Sequence, residues 1–174
     1  KNQQLLEASE QMGENIQQQL NAAGIDSGKV DVQVETQYVM LTLNGSVLFD
    51  SGSANISSNA YDFISKIGDI LVQYDKQDIQ IIGHTDSVPQ SSSNKKYSDN
   101  MELSQGRAYS VYTYLKDNKG MDVSTMGCMG RGETSPIASN DTASENVTYL
   151  AYAAFTPVES VRLGMTVTVV WNGA

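Results

Sequence analysis

The sequence predicts an α+β fold, a split βαβ sheet with helices packed on one face and one further helix at the N-terminal end. Three observations lead there. Apolar residues alternate through Val30, Val32 and Val34, and again through Val39, Leu41 and Leu43, the period of a half-buried strand. A helical stripe follows in Ala60, Phe63, Ile64, Ile67, Ile70, Leu71 and Tyr74, the clearest in the chain. A buried-strand pattern at 79–82 then leads into a second stripe, Ser104, Ala108, Val111 and Leu115. Strand, helix, strand, helix in this order implies the architecture.

Taken in order, residues 1–24 carry Leu5, Met12, Ile16 and Leu20 at near-helical spacing, with Gly13 interrupting and Gly24 as a stop. That stripe fits a helix packed on the domain, or a helical linker or dimer contact. The division expected is 1–28 as linker and 29–174 as domain. Asn44-Gly45 signals a turn, and Val47-Leu48-Phe49 reads as a short strand before the loop 50–55. Ser57 or Ser58 would cap the first long helix. Residues 89–96 form a Ser-rich exposed loop, Gly120 stops the second helix, and Met126 opens a short strand ending in a glycine-rich turn. Alternation at 165–171, with Val167 and Val169 facing one way, predicts the last strand. That leaves 142–163 as an insertion, whose apolar run Tyr149-Leu150-Ala151-Tyr152-Ala153-Ala154-Phe155 would cover a sheet edge or form an oligomer contact.

Composition bounds the function. At 174 residues, with 40% hydrophobic and 18% charged, the chain can bury the core of one folded domain. A net charge of −9, with no basic cluster beyond the pair Lys95-Lys96, excludes a nucleic-acid surface. Cys128 is the single cysteine, so no internal disulfide and no cysteine metal cluster can form; between Met126 and Met129 it reads as a small buried apolar residue. No run of 18 apolar residues occurs, and Lys1 in place of methionine fits a piece of a longer chain.

The chemistry concentrates in two pieces, Ile82-Gly83-His84-Thr85-Asp86 and the start of the second long helix. Asp99 is a candidate N-cap, with Glu102 completing a capping box. Asn100 and Arg107 lie two helical turns apart and so project from nearly the same side. A strand ending in Asp86, facing a helix that offers Asn100 and Arg107, supplies one anion, one cation and neutral hydrogen-bonding groups. Such a site suits a zwitterion.

The pattern G-H-T-D at 83–86, a polar loop, and N-x-x-L-S-x-x-R-A-x-x-V-x-x-Y-L at 100–115 resemble the OmpA-like peptidoglycan-binding domain. Tyr97-Ser98-Asp99-Asn100, with Val47-Leu48-Phe49-Asp50-Ser51-Gly52-Ser53-Ala54 upstream, resembles its MotB branch, the stator anchor of the flagellar motor. The resemblance covers roughly residues 30–141 and implies a βαβαβ sheet. It also implies non-catalytic binding of peptidoglycan stem peptides that anchors a membrane complex to the cell wall. Asp86 would accept hydrogen bonds from the ammonium of diaminopimelate, and Arg107 would hold the carboxylate on the same carbon. Asn100 would add amide hydrogen bonds, Thr85 and Leu103 would line the pocket, and Phe49 and Asp50 would lie beside it. The partners implied are peptidoglycan and a MotA-like channel subunit reached through a preceding membrane helix, in a homodimer outside the cytoplasmic membrane. No cofactor or metal is expected. The family's Asn-Arg-Arg tripeptide is missing, with Arg162 as the nearest basic residue, which motivates an alternative: a structural or oligomerisation domain with a vestigial pocket.

A catalytic reading would build on His84, the one histidine, with Ser87 or Ser104 and Asp86. No G-x-S-x-G elbow is present, and three consecutive residues leave no room for a nucleophile between His84 and Asp86. One histidine and one cysteine make a zinc hydrolase a poor fit, and the expectation is that the chain is not an enzyme.

Overall fold

The computed structural model describes residues 2–93, 95–134 and 148–153. Among the described residues five strands, β1 (Val30–Val34), β2 (Val39–Asn44), β3 (Ile79–Gly83), β4 (Met126–Gly130) and β5 (Thr148–Ala153), form one sheet in the order β1-β2-β5-β3-β4. β1 (Val30–Val34) and β2 (Val39–Asn44) pair antiparallel, Val30 opposite Leu43 and Val34 opposite Val39. Chain reversal between them is closed by Glu35 N–H on the Tyr38 carbonyl at 2.9 Å. β3 (Ile79–Gly83) and β4 (Met126–Gly130) run parallel, which requires a crossover, supplied by helix α4 (Asn100–Lys119). Helix α3 (Tyr61–Leu71) makes the earlier crossing from β2 to β3.

Alternation in β2 sends Val39, Leu41 and Leu43 inward, where they join Ile64, Ile67 and Leu71 of α3 and Val111 and Leu115 of α4 in one core. Helix α1 (Asn2–Ala22) joins the same core through Met12, Ile16 and Leu20, so it packs on the domain and is not a free linker. Gly13 does not interrupt it. A Cβ at that position would run into the Val34 side chain, and its absence lets the helix lie close against β1.

Two expectations about strands need correction. Val47-Leu48-Phe49 is not a strand: Asn44 keeps an extended backbone and accepts Ser46 N–H at 3.1 Å, starting the single-turn helix α2 (Gly45–Leu48). The Asn-Gly pair caps a helical turn and not a hairpin, because β2 finds its second partner elsewhere. Leu48 and Phe49 are still buried, and Phe49 forms one isolated bridge with Ile56. The second correction concerns 142–163, expected to be an insertion. β5 (Thr148–Ala153) lies inside it and is the middle strand, antiparallel to both β2 and β3, with Leu41 and Ile81 both opposite Ala151. The strand expected at 165–171, and Arg162, lie outside the described residues.

The capping signals around α4 act as the sequence suggests. Asp99 accepts Glu102 N–H at 2.8 Å, and the Glu102 carboxylate accepts Ser98 N–H at 2.7 Å, one residue ahead of the usual box. Those bonds from Ser98 hold the exposed Glu102 carboxyl below its ordinary range. Gly120 ends the helix in a left-handed conformation at φ 63°. Ser57 does precede a turn of 3₁₀ helix at Ser58–Ala60 ahead of α3, but its side chain makes no capping hydrogen bond.

Candidate ligand-binding cleft

α4 reaches the ends of β3 and β4 at very short range. A Cβ on Gly83 would collide with the Ser104 carbonyl, and one on Gly130 with the backbone of Gln105. Close approach also seats the Ser104 hydroxyl, which accepts Gly132 N–H at 2.9 Å and donates to the Met101 carbonyl at 2.8 Å. The two strand exits are stitched together by Arg131 N–H on the Gly83 carbonyl at 2.8 Å and Thr85 N–H on the Gly132 carbonyl at 3.0 Å. The chain leaving β3 is therefore held against the second turn of α4.

Arg107 stands on the buried face of that helix with Leu103, Ser104, Ala108 and Val111, and is 1% exposed. Such a guanidinium needs fixed partners. Nε donates to the Ser53 carbonyl at 2.6 Å and Nη2 to the Asp50 carbonyl at 3.0 Å. Its central carbon sits 5.3 Å from the centroid of the Phe49 ring, a cation–π contact. Burial pushes its pKa down to about 10, opposed by the charge of Asp86 and by Tyr97. At neutral pH the group remains a cation.

Arg107 opens into a cleft of about 510 Å³ that it shares with Asp86, Thr85 and Leu103. One wall is the loop of Ser51 and Gly52; the other is the loop that follows Asp86. Asp86 accepts Val88 N–H at 3.1 Å, an Asx-type turn that starts the second wall. Thr85 is 4% exposed, and its hydroxyl has no hydrogen-bond partner among the described residues. A buried hydroxyl on a cleft wall is a ready contact for a polar ligand.

Four of the residues singled out from sequence thus meet: Thr85, Asp86, Leu103 and Arg107. Three do not. Phe49 and Asp50 lie behind Arg107, one giving its ring face and the other its carbonyl, and neither lines the cleft. Asn100 is 6% exposed and faces an adjoining recess of about 390 Å³. Sequence reasoning missed Ser53 and the pair Gln90 and Glu133, which bond to Asn100. Ser53 acts through its carbonyl, which leaves no mark on residue type.

The pattern of the OmpA family matches residues 48–149, a stretch that contains every residue of the cleft. The chain belongs to the OmpA family. Among curated OmpA-type relatives, motility protein B of Bacillus subtilis is 33% identical over 134 residues, covering 75% of this chain and 50% of that protein. The protein described as "Probable lipoprotein YiaD" of Escherichia coli is 35% identical over 105 residues, 60% of this chain and 45% of that one. The chain thus spans about half the length of the curated relatives it matches. Among solved structures, the cell wall anchor of the Pseudomonas aeruginosa type VI secretion system superposes with a TM-score of 0.68 at 27% identity, over 79% of this chain and 95% of that one. The periplasmic domain of Helicobacter pylori MotB does so at 0.61 and 25%, over 72% and 82%. A MotB-like protein from Desulfovibrio vulgaris, at 0.77 and 23% over 88% and 95%, agrees in fold. Within the OmpA family the chain stands near the MotB branch. Among the described residues no helix is long and apolar enough to cross a membrane, and no cluster of acidic, histidine or cysteine side chains could hold a metal ion.

Proposed function

We propose that this OmpA-family domain binds peptidoglycan stem peptides in the Asp86–Arg107 cleft, without catalysis, and so anchors a membrane complex to the cell wall. The observation that carries the reading is Arg107: a buried cation, fixed by two backbone carbonyls and an aromatic face, that opens into a cleft holding one carboxylate. One anion and one cation on a cleft otherwise lined by hydroxyls, amides and apolar groups suit the zwitterionic end of diaminopimelate. Arg107 would take its carboxylate and Asp86 its ammonium. Thr85 and Leu103 would complete the wall. Relatives that include a cell wall anchor support the same reading. His84, the one histidine, is buried and is not among the residues that line the cleft.

The finer role, a homodimeric flagellar stator anchor that works with a MotA-like channel subunit outside the cytoplasmic membrane, rests on the likeness to motility protein B. Two charge-assisted contacts, each roughly 1.5–3 kcal/mol and partly offset by desolvation, predict modest affinity for one stem peptide. Firm anchoring then calls for paired domains on one polymer.

The test is co-sedimentation with purified diaminopimelate-type sacculi, using wild type, Asp86→Asn and Arg107→Lys, each checked for folding by circular dichroism. Wild type is expected to pellet and both folded variants to stay in the supernatant. Wild type remaining in solution, or variants pelleting as wild type does, would overturn the proposal.

A further inference from the structure

Asn100 begins α4 beside the cleft, yet its carboxamide is already committed. Nδ2 lies 3.2 Å from the carbonyl of Asp86, 2.9 Å from that of Val88 and 2.9 Å from Oε2 of Glu133, while Oδ1 accepts the Gln90 side-chain amide at 2.6 Å. One side chain thus joins three segments: the helix start, the loop after β3 and the loop after β4. Only an amide can do this, since it donates to carbonyls and a carboxylate on one side and accepts from an amide on the other. Two of the four partners belong to the backbone of the loop that carries Asp86 and forms one wall of the cleft. Glu133 supplies the charge-assisted member and ties that wall to the β4 exit, whose Gly132 carbonyl also receives Thr85 N–H.

From this geometry we infer that Asn100, braced by Glu133, is a positioning residue: it fixes where the Asp86 carboxylate stands opposite Arg107 and does not itself touch the ligand. The inference rests on the stem-peptide reading of the cleft for its ligand, but the positioning itself is a property of the protein alone. Without Asn100 the carbonyls of Asp86 and Val88 lose their shared donor, and the Asx turn that aims Asp86 is no longer tied to the helix. Asp86 then samples a wider range of positions, and a ligand must pay to order it.

Two measurements on the intact chain test this, one with ligand and one without. The first is a double-mutant cycle on binding of a tripeptide that ends in diaminopimelate, by titration calorimetry, with Asn100→Ala, Asp86→Ala and the pair. Positioning predicts that Asn100→Ala weakens binding roughly tenfold in wild type and changes little once Asp86 is alanine. Additive losses mean that Asn100 meets the ligand directly, which overturns the inference. The second is backbone amide hydrogen exchange at Ser87, Val88 and Gln90 without ligand, for Asn100→Ala, Glu133→Ala and Glu133→Gln. Exchange should speed up in both alanine variants, with α3 amides unchanged, and Glu133→Gln, which keeps an acceptor for Nδ2, should stay near wild type. Unchanged exchange in Asn100→Ala refutes the clamp. If wild type fails to bind the tripeptide, the stem-peptide reading falls, and the exchange measurement still decides the positioning role.

Discussion

Arg107 is a charged side chain placed where charge costs free energy, and its surroundings show how that cost is met. The Ser53 and Asp50 carbonyls take two of its N–H groups, Phe49 offers a ring face, and Asp86 opposes the effect of burial. Because burial brings the guanidinium down to about 10, ligand binding should be flat from neutral pH upward and weaken as pH passes that value. Folding responds with the opposite sign. The unfolded chain keeps the proton to its ordinary, higher pKa, so above about 10 the unfolded state binds more protons and this group's contribution to stability rises with pH. Titration of the tripeptide at stepped pH, beside urea midpoints, checks both signs. At this scale Thr85, Asp86, Leu103 and Arg107, which share the cleft, were legible in the sequence. Phe49 and Asp50 were expected beside the pocket and stand behind Arg107, where a ring face and a carbonyl support the guanidinium. Asn100 was expected to offer its amide to ligand, and that amide is engaged by Gln90, Glu133 and the carbonyls of Asp86 and Val88.

The decisive element is α4, and its contact with β3 and β4 depends on what is missing at Gly83 and Gly130. The obstacle at Gly83 is backbone of the facing helix, which cannot rotate away as a side chain would. Gly83→Ala should therefore push α4 outward, cost roughly 1–3 kcal/mol of stability by urea denaturation, and weaken tripeptide binding because Arg107 and Asp86 move apart. Unchanged stability and affinity would show that the close packing does not set the site. Helix boundaries were readable here because Asp99 and Gly120 are local signals. β5 was not. An unbroken apolar run carries no period, so Tyr149-Leu150-Ala151-Tyr152-Ala153 gave no clue that it belongs between β2 and β3, whereas 165–171 alternated and drew the prediction. Val47-Leu48-Phe49 failed for a related reason: three apolar residues are too few to separate a strand from one helical turn.

Across the whole molecule, the sheet, α3, α4 and the N-terminal helix share one core. Ile16 and Leu20 of α1 are 0% and 1% exposed, as buried as Leu41 of the central hairpin strand at 2%. Ile16→Ala should lower stability by roughly 2–5 kcal/mol in a single cooperative transition, with sacculus binding retained wherever the variant is folded. A free linker would show no such loss. The amphipathic stripe of residues 1–24 fitted a packed helix and a linker equally, and only the burial of Met12, Ile16 and Leu20 decides between them. In the proposed function this scaffold serves one contact above all, Arg107 on the second carboxylate of diaminopimelate. Replacing that residue with lysine in an otherwise identical tripeptide removes the carboxylate and keeps the ammonium. Calorimetric titration of the two tripeptides is therefore the most direct test. Measurable binding of the diaminopimelate peptide with at least tenfold weaker binding of the lysine peptide is the predicted result, as expected for one charge-assisted contact of roughly 1.5–3 kcal/mol. Equal binding of the two, or none of either, would contradict it.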